Sequence, residues 1–157
     1  MKLILTDVDG VLTDGCVTLD VQGNETKKIC YRDLDAIGIG RRAGYEFGFI
    51  TGEDTPMARS LAKRFGIEIA YFGIKNKLAT MAEITARTGV DVKNVVYIGD
   101  ADSDIALLAA AGLGIAPADA TFNARKTALI TAESKGGTGV LLEIVDKLIA
   151  GALVFPR

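Results

Sequence analysis

Histidine is absent from this sequence of 157 residues. Its absence excludes histidine-based triads and histidine-ligated zinc, and leaves carboxylates, lysines and hydroxyls to carry any chemistry. Cysteine is almost absent: Cys16 and Cys30 are the only two, too few for a disulfide framework. In a reducing compartment both are expected to be thiols. An excess of either charge is also lacking, with 18 basic against 20 acidic residues and a net charge of −2. Without a basic stripe there is no electrostatic footprint for nucleic acid. Long apolar runs are missing. Met1-Lys2-Leu3-Ile4-Leu5-Thr6-Asp7 is apolar for three residues before acids begin, which excludes a signal-peptide core and a bilayer span. The expected location is the cytoplasm, with no membrane partner. No low-complexity tract, long linker or internal repeat interrupts the chain.

What is present fits a globular protein: 49% hydrophobic and 24% charged residues. The length fits one domain over 1–157. Short apolar runs alternate with helical patterns. Leu3-Ile4-Leu5, Phe47 to Thr51, Ile67 to Tyr71 and Val95 to Ile98 read as strands, with Gly114 to Ala116 and Ala128 to Thr131 as shorter ones. Thr55-Pro56 starts a helix, with Met57, Leu61 and Phe65 on one face and Gly66 as its stop. Leu78, Met81, Ala82 and Thr85 predict a second helical face ending near Gly89. Ile105, Leu108 and Ala109 predict a third ending at Gly112, and Val140, Leu141, Ile144, Val145 and Leu148 a last one. Strands alternating with helices imply an α/β fold, a doubly wound, Rossmann-like, mostly parallel sheet whose ligands sit at the carboxyl ends of the strands. Cys16 to Asp20 and Glu25 to Tyr31, with Gln22-Gly23-Asn24 between them, predict a β-hairpin flap over about 14–32, too small to be a cap domain.

The residues after the strands are the informative ones. Asp7-Val8-Asp9-Gly10-Val11-Leu12-Thr13-Asp14-Gly15 comes directly after the first strand. Two carboxylates two residues apart at a strand end point the same way. One can attack phosphorus and the other can shuttle the proton; an acidic turn with Asp-Gly punctuation is the alternative. An EF-hand is excluded by Val11 at the fifth loop position and Leu12 where glycine is required. Thr51-Gly52 after the second strand offers a hydroxyl and a backbone N–H to phosphate oxygens, or is a plain strand-to-helix turn. Lys77 near the next helix start can neutralise a phosphate, or is simply solvated. Gly99-Asp100-Ala101-Asp102-Ser103-Asp104 gathers acids at a buried strand end, where Mg²⁺ would offset their charge. Helix-dipole stabilisation accounts for one of those acids but not for Asp100 inside the turn.

An acid pair, Thr-Gly, Lys and Gly-Asp-x-x-x-Asp, in that order, resembles the motif set of the haloacid dehalogenase superfamily. The first motif, the short hairpin, Ile50-Thr51-Gly52 and Gly136-Gly137-x-Gly139 are similar to its capless branch, from about Lys2 to about Leu148. The resemblance implies Asp7 as nucleophile and Mg²⁺ ligand, and Asp9 as acid/base with its carbonyl on the metal. Thr51, Gly52 and Lys77 would hold the phosphoryl group, Asp100 would complete the protein's share of the metal shell, and Asp104 would support Lys77 or a metal-bound water. It further implies a small-molecule phosphorylated sugar acid as substrate, with 3-deoxy-D-manno-octulosonate 8-phosphate leading and a nine-carbon 9-phosphate as the alternative. A homotetramer is implied too, with neighbouring subunits covering an open site and the apolar end Ala152-Leu153-Val154-Phe155 seeking a partner. The sequence departs from the branch at Glu53, where arginine is usual and where the substrate would be read, at Ala101 in place of a second acid, and at Leu142 in place of arginine.

Two other functions compete. A phosphoacceptor signalling domain would carry its acceptor acid after the third strand, where Tyr71-Phe72-Gly73 stands. A non-catalytic module regulating a partner enzyme would not need Asp7, Asp9, Lys77 and Asp100 together. Gly38-x-Gly40-x-x-Ala43 matches a dinucleotide fingerprint only on paper, and helix packing explains its small residues better. Gly136 to Gly139 reads as a flexible loop, and Cys16 and Cys30 as cross-strand neighbours in the flap.

Overall fold

Leu3, Ile4 and Leu5 are fully buried on a strand, β1 (Lys2–Thr6), that has parallel neighbours on both sides. Being covered on both faces is what allows it to be a continuous apolar run. The computed structural model describes residues 2–155. In chain order a hairpin comes next, β2 (Thr18–Leu19) and β3 (Glu25–Thr26), and then α1 (Tyr31–Arg42), β4 (Tyr45–Ile50), α2 (Pro56–Arg64), β5 (Ile69–Tyr71) and α3 (Lys77–Thr88). The second half contains β6 (Val95–Ile98), α4 (Ile105–Ala110), β7 (Leu113–Ala116), α5 (Phe122–Thr127), β8 (Ile130–Thr131) and α6 (Val140–Ile149).

The main sheet has six strands in the order β5-β4-β1-β6-β7-β8, every pairing parallel. The chain first winds outward from β1 to β5, then returns to the other side of β1 at β6. That reversal opens a crevice beyond the carboxyl ends of β1 and β6, where an open α/β sheet takes its ligand. Alternation along the strands builds two apolar layers. Ile4, Phe47, Phe49, Val96 and Ile98 face α1, α2 and α6, whereas Leu3, Leu5, Val95 and Tyr97 face α3, α4 and α5. Thr55 caps α2 by accepting Ala58 N–H, with Pro56 at the first position, as the sequence predicts. Gly40 lies inside α1, where a Cβ would run into the Phe47 ring. The glycine pattern there serves helix–sheet packing.

Several expectations need correction. On α3 the buried residues are Lys77, Thr80, Met81 and Ile84, while Leu78 is 43% exposed. The predicted face of Leu78, Met81, Ala82 and Thr85 is rotated: Ile84 joins Met81 in the core, and Lys77 turns inward to its ion pairs. On α4 the buried pair is Leu107 and Leu108 rather than Ile105 and Ala109. A 3₁₀ turn over Asp102–Asp104 precedes this helix and buries Asp104 instead. The flap strands are only two residues each, and Thr18 pairs with Thr26, so continuing that register sets Cys16 opposite Lys28 rather than Cys30. Both thiols are free. The apolar end does not seek a partner as a unit: Leu153 and Phe155 pack back on the core, leaving Val154 exposed. The flap also exposes large apolar side chains, at Val17, Leu19 and Val21.

Gly136 to Gly139 is not a loose loop. Gly137 N–H donates to Val11 C=O at 2.8 Å, and Gly136 N–H to Asp119 Oδ1 at 2.9 Å. A Cβ on Gly136 would overlap the Gly10 carbonyl. Fully buried Asp33 of α1 accepts the N–H groups of Gly139, Leu141 and Leu142, capping α6 from another helix. Burial pushes the Asp33 carboxyl above its usual range, against the pull of those three donors. No helix among the described residues is long and apolar enough to cross a membrane.

Candidate active site

The β1 ladder continues one step past the strand, since Asp7 N–H donates to Ile98 C=O at 2.9 Å. That bond sets Asp7 at the mouth of the crevice. Its Oδ1 accepts Val8 N–H at 2.7 Å, and its Oδ2 pairs with Lys77 Nζ at 2.6 Å. Lys77 is the first residue of α3, which Asn76 caps by accepting Ala79 N–H. The ammonium also meets Asp104 Oδ1 at 2.7 Å. Asp104 is saturated: Oδ1 further accepts the Tyr97 hydroxyl at 2.6 Å, and Oδ2 accepts the N–H groups of Asp100 and Ala101. It is an anchor that fixes Lys77 and the turn bearing Asp100.

Asp100 is held differently. Its Oδ1 is buried and has no hydrogen-bond partner among the described residues. Carboxylate oxygens of Asp7, Asp100 and Asp104 lie within 4.8 Å of one another. Each oxygen of Asp104 already accepts from two donors, whereas each oxygen of Asp7 accepts from one and Asp100 Oδ1 from none of the described residues, so Asp7 and Asp100 are the ones with capacity left for a cation. Gly10 makes this approach possible: at φ 78° it adopts a left-handed turn, and any Cβ there would overlap the Asp100 carboxylate. The electrostatics agree. Burial, reinforced by Asp104, pushes Asp7 up to about 6 against the pull of Lys77. Burial, then Asp7 and Asp104, push Asp100 up to about 7. Burial lowers Lys77, but Asp7 and Asp104 outweigh it and hold the ammonium charged. Three crowded carboxylates with one ammonium leave a deficit of positive charge that a divalent oxygen-seeking ion would remove.

Asp9 sits at the surface edge of the loop. Its Oδ1 takes Lys27 Nζ from the flap at 2.7 Å and a long bond of 3.4 Å from the Thr13 hydroxyl. Thr13 is the hub of this turn, since its buried oxygen also accepts the N–H groups of Gly10 and Gly15. Thr51 is buried at the end of β4, with its N–H on Tyr71 C=O and its C=O on Ile74 N–H, so the backbone entering Gly52 is fixed.

A cavity of about 230 Å³ is lined by Asp7, Asp9, Thr51, Gly52, Glu53, Lys77 and Asp100, with Asp104 directly behind it. Asp7, Asp9, Thr51, Gly52, Glu53, Lys77, Asp100 and Asp104 are therefore brought to one place. A roomier hollow of about 740 Å³, lined by Arg41, Glu46, Glu68 and Arg87, contains none of them. Asp102 turns away from the site, accepting bonds from Thr121 and Asn123. Sequence reasoning missed Lys27, Thr13 and Tyr97. Thr13 belongs to a motif already in hand, and Tyr97 is a polar interruption in an apolar strand. A lysine at the end of a hairpin carries no sequence signal.

Comparison with known proteins agrees with the geometry. A family of haloacid dehalogenase-like hydrolases matches residues 67–144. The 3-deoxy-D-manno-octulosonate 8-phosphate phosphatase of Haemophilus influenzae is 30% identical over 149 residues, 95% of this chain and 83% of that protein. The Escherichia coli K12 phosphatase of the same name is also 30% identical, over 95% of this chain and 79% of its own. The fold is similar to a crystal structure of the Moraxella catarrhalis phosphatase in complex with magnesium ion, phosphate ion and KDO. The TM-score is 0.89 at 30% identity, covering 97% of this chain and 87% of the other.

Proposed function

This chain belongs to the haloacid dehalogenase-like phosphatases, and from that premise we propose that it is a magnesium-dependent phosphomonoesterase acting on a phosphorylated sugar acid, 3-deoxy-D-manno-octulosonate 8-phosphate first. The observation that carries the reading is the buried Oδ1 of Asp100, without a hydrogen-bond partner among the described residues, beside Asp7 and Lys77 in one cavity. Asp7, Asp100 and the Asp9 carbonyl would hold the magnesium. When bound, it offsets the repulsion between a carboxylate nucleophile and a phosphate dianion.

Asp7 and Asp9 divide the bond-making and proton work between them. A carboxylate oxygen of Asp7 bonds to phosphorus as the bond from phosphorus to the ester oxygen breaks. Asp9 delivers its proton to that departing oxygen. Asp9 then takes a proton from water as the water oxygen bonds to phosphorus and the Asp7–phosphorus bond breaks, restoring both acids. Lys77, the Thr51 hydroxyl and the Gly52 N–H hold the phosphoryl oxygens, and Asp104 keeps Lys77 aimed.

A nine-carbon sugar acid is the second reading, and Glu53 is its motive. Glu53 and Glu25 both line the hollow of about 340 Å³ adjoining the site, where carboxylates accept hydroxyl or amide hydrogens but repel a substrate carboxylate. A homotetramer, with neighbours meeting over the exposed Val17, Leu19 and Val21 of the flap, would cover this open mouth. The test is release of inorganic phosphate from eight- and nine-carbon sugar-acid phosphates, hexose phosphates and nucleotides, before and after chelation. Activity is expected to vanish with the chelator and return with Mg²⁺. A sugar acid should lead by more than about tenfold in kcat/KM, near 1.4 kcal/mol. Full activity after chelation contradicts the metal, and a like preference for nucleotides or neutral hexose phosphates contradicts the substrate.

A further inference from the structure

The flap is exposed almost throughout. From residue 15 to residue 28, Lys27 alone is not an exposed residue. Its neighbour Lys28 shows the ordinary state of a flap lysine, with a side chain 90% exposed and 3.8 Å from Asp14. Lys27 instead has a side chain only 11% exposed, and its Nζ lies 2.7 Å from Asp9 Oδ1. Ordering a lysine costs side-chain entropy, and an exposed ion pair returns little for it. The tuck therefore points to a role beyond tethering a two-stranded hairpin.

We infer that Lys27 is a positioning residue for Asp9, reaching in from the flap to occupy one carboxylate oxygen and dedicate the other to the departing group. The inference rests on the reading of Asp9 as acid/base. The geometry behind it is an asymmetry between the two oxygens. Oδ1 holds Lys27 and the long contact from Thr13, while Oδ2 accepts no hydrogen bond from the described residues. Asp9 also stands at a boundary, lining both the cavity that contains Asp7 and Lys77 and the adjoining hollow that contains Lys27 and Glu25. A departing sugar oxygen must cross that boundary. A carboxylate free to rotate there would offer either oxygen at variable distance. One clamped at Oδ1 presents Oδ2 for the proton in the first half-reaction and for the proton of water in the second. The flap is thereby part of the catalytic apparatus as well as a surface element.

The consequence is selective, because proton delivery matters most when the departing oxygen is strongly basic. Lys27→Met, which keeps most of the length and removes the charge, is compared with wild type on a sugar phosphate and on p-nitrophenyl phosphate, both with Mg²⁺, by the single-turnover rate of release of the departing group, which reads the first half-reaction alone. On the sugar phosphate, that rate is expected to fall about tenfold or more, with KM changed by less than about threefold. On the aryl ester, whose departing group needs little protonation, the loss is expected to stay within about threefold. Lys27→Arg should restore most of the sugar-phosphate rate, and Lys27→Gln should lose less than Lys27→Met. Equal losses on both esters, or a loss confined to KM, would mean that Lys27 only holds the flap or binds substrate, and would overturn the inference. Asp9→Asn is assayed alongside by the same single-turnover rate. If it shows the ester-dependent split and Lys27→Met does not, the positioning role alone is wrong. If Asp9→Asn shows no split, the acid/base reading fails and takes the inference with it.

Discussion

Asp7 and Asp9 stand two residues apart in one loop, yet different parts of the molecule hold them. Asp7 is gripped from the interior: its partner Lys77 has a side chain 3% exposed, and Asp104 behind it is fully buried and saturated by Tyr97 and two backbone N–H groups. Asp9 is 26% exposed and is gripped from the surface by a lysine on a hairpin of two-residue strands. Such a hairpin has no core of its own and is marginal alone. On the proposed mechanism, the carboxylate that would bond to phosphorus is fixed by the packed fold, and the carboxylate that would move protons is fixed by an appendage. Damage on the interior side should therefore cost rate and stability together, whereas damage on the flap side should cost rate alone, and in the first half-reaction most for substrates that need the proton.

The largest contrast is expected from the two carboxylates themselves. Asp7→Asn keeps the shape but gives a poor nucleophile, and should lower multiple-turnover phosphate release at least about 10⁴-fold on every ester. Asp9→Asn should slow release of the departing group in a single turnover about 10²-fold or more on a sugar phosphate and much less on an aryl phosphate, while steady-state turnover falls on both because the water step is shared. Substantial turnover by pure Asp7→Asn would remove the nucleophile from the mechanism, and identical single-turnover losses on both esters for Asp9→Asn would erase the distinction between the two sides.

The same division explains how much was legible in the sequence. The interior side announced itself. β1 and β6 are buried, largely apolar strands, and an acid follows each, Asp7 directly after Thr6 and Asp100 just past Gly99, out of place beside a buried strand. Hence the sheet, the acid pair, Thr51, Lys77, Asp100 and Asp104 could all be found in order. The flap side is read through residue types that are common on any surface. Its turn was visible at Gly23-Asn24, but a tucked Lys27 and a solvated Lys28 look alike in a string of letters. The errors in the helical faces have a physical origin too. On α3, Met81 and Ile84 face the core together with Lys77, a charged residue that apolarity alone places outside and that its ion pairs hold inside, and Leu78 is left exposed. The glycines at 136 and 137 suggested freedom. They are there because backbone packs directly on the backbone of the Asp7 loop, a tertiary demand that no local pattern reveals.

Two glycines in the first motif sharpen the comparison at a smaller scale. Gly10 and Gly15 both adopt positive φ, 78° and 74°. A Cβ on Gly10 would strike the Asp100 carboxylate, while one on Gly15 would meet only Gly10, its Cα at 3.6 Å. Gly15→Ala should therefore cost the backbone strain alone, about 1–2 kcal/mol. Gly10→Ala should cost the same strain and also push Asp100 away from Asp7, lowering kcat/KM about 10²-fold and raising the Mg²⁺ concentration needed for half-maximal rate. Chemical denaturation and Mg²⁺ titration of both variants separate the two contributions. Equal losses of rate would show that the Asp100 approach is not what Gly10 protects.

The smallest expected effect lies farthest from the chemistry, where the interior side extends to its outer support. Glu143 of α6 accepts the N–H groups of Glu133 at 3.0 Å and Ser134 at 2.7 Å and pairs with Lys147 at 2.8 Å. It thereby ties α6 to the segment leading into Gly136 and Gly137, which back the Asp7 loop. Burial works against its charge, but Lys147 and those N–H donors prevail and hold the carboxyl down at about 2, from an ordinary 4.5. A depressed carboxyl stabilises the fold above its unfolded value and loses that contribution as pH falls through its folded value. The stabilisation is therefore complete above about 4.5 and drains away toward 2. Lys147 is partly exposed, so solvent screening reduces the contribution to about 1 kcal/mol. Glu143→Gln should accordingly lower Tm by about 2–4 °C at pH 7. The gap should narrow through the acid range, and kcat/KM should stay within about twofold because no reacting group moves. A gap that stays constant down to pH 2 would assign the stabilisation to shape rather than charge. A rate that falls with Tm would mean that the glycine segment transmits strain to Asp7, and that the interior grip on the nucleophile reaches farther than its ion pairs.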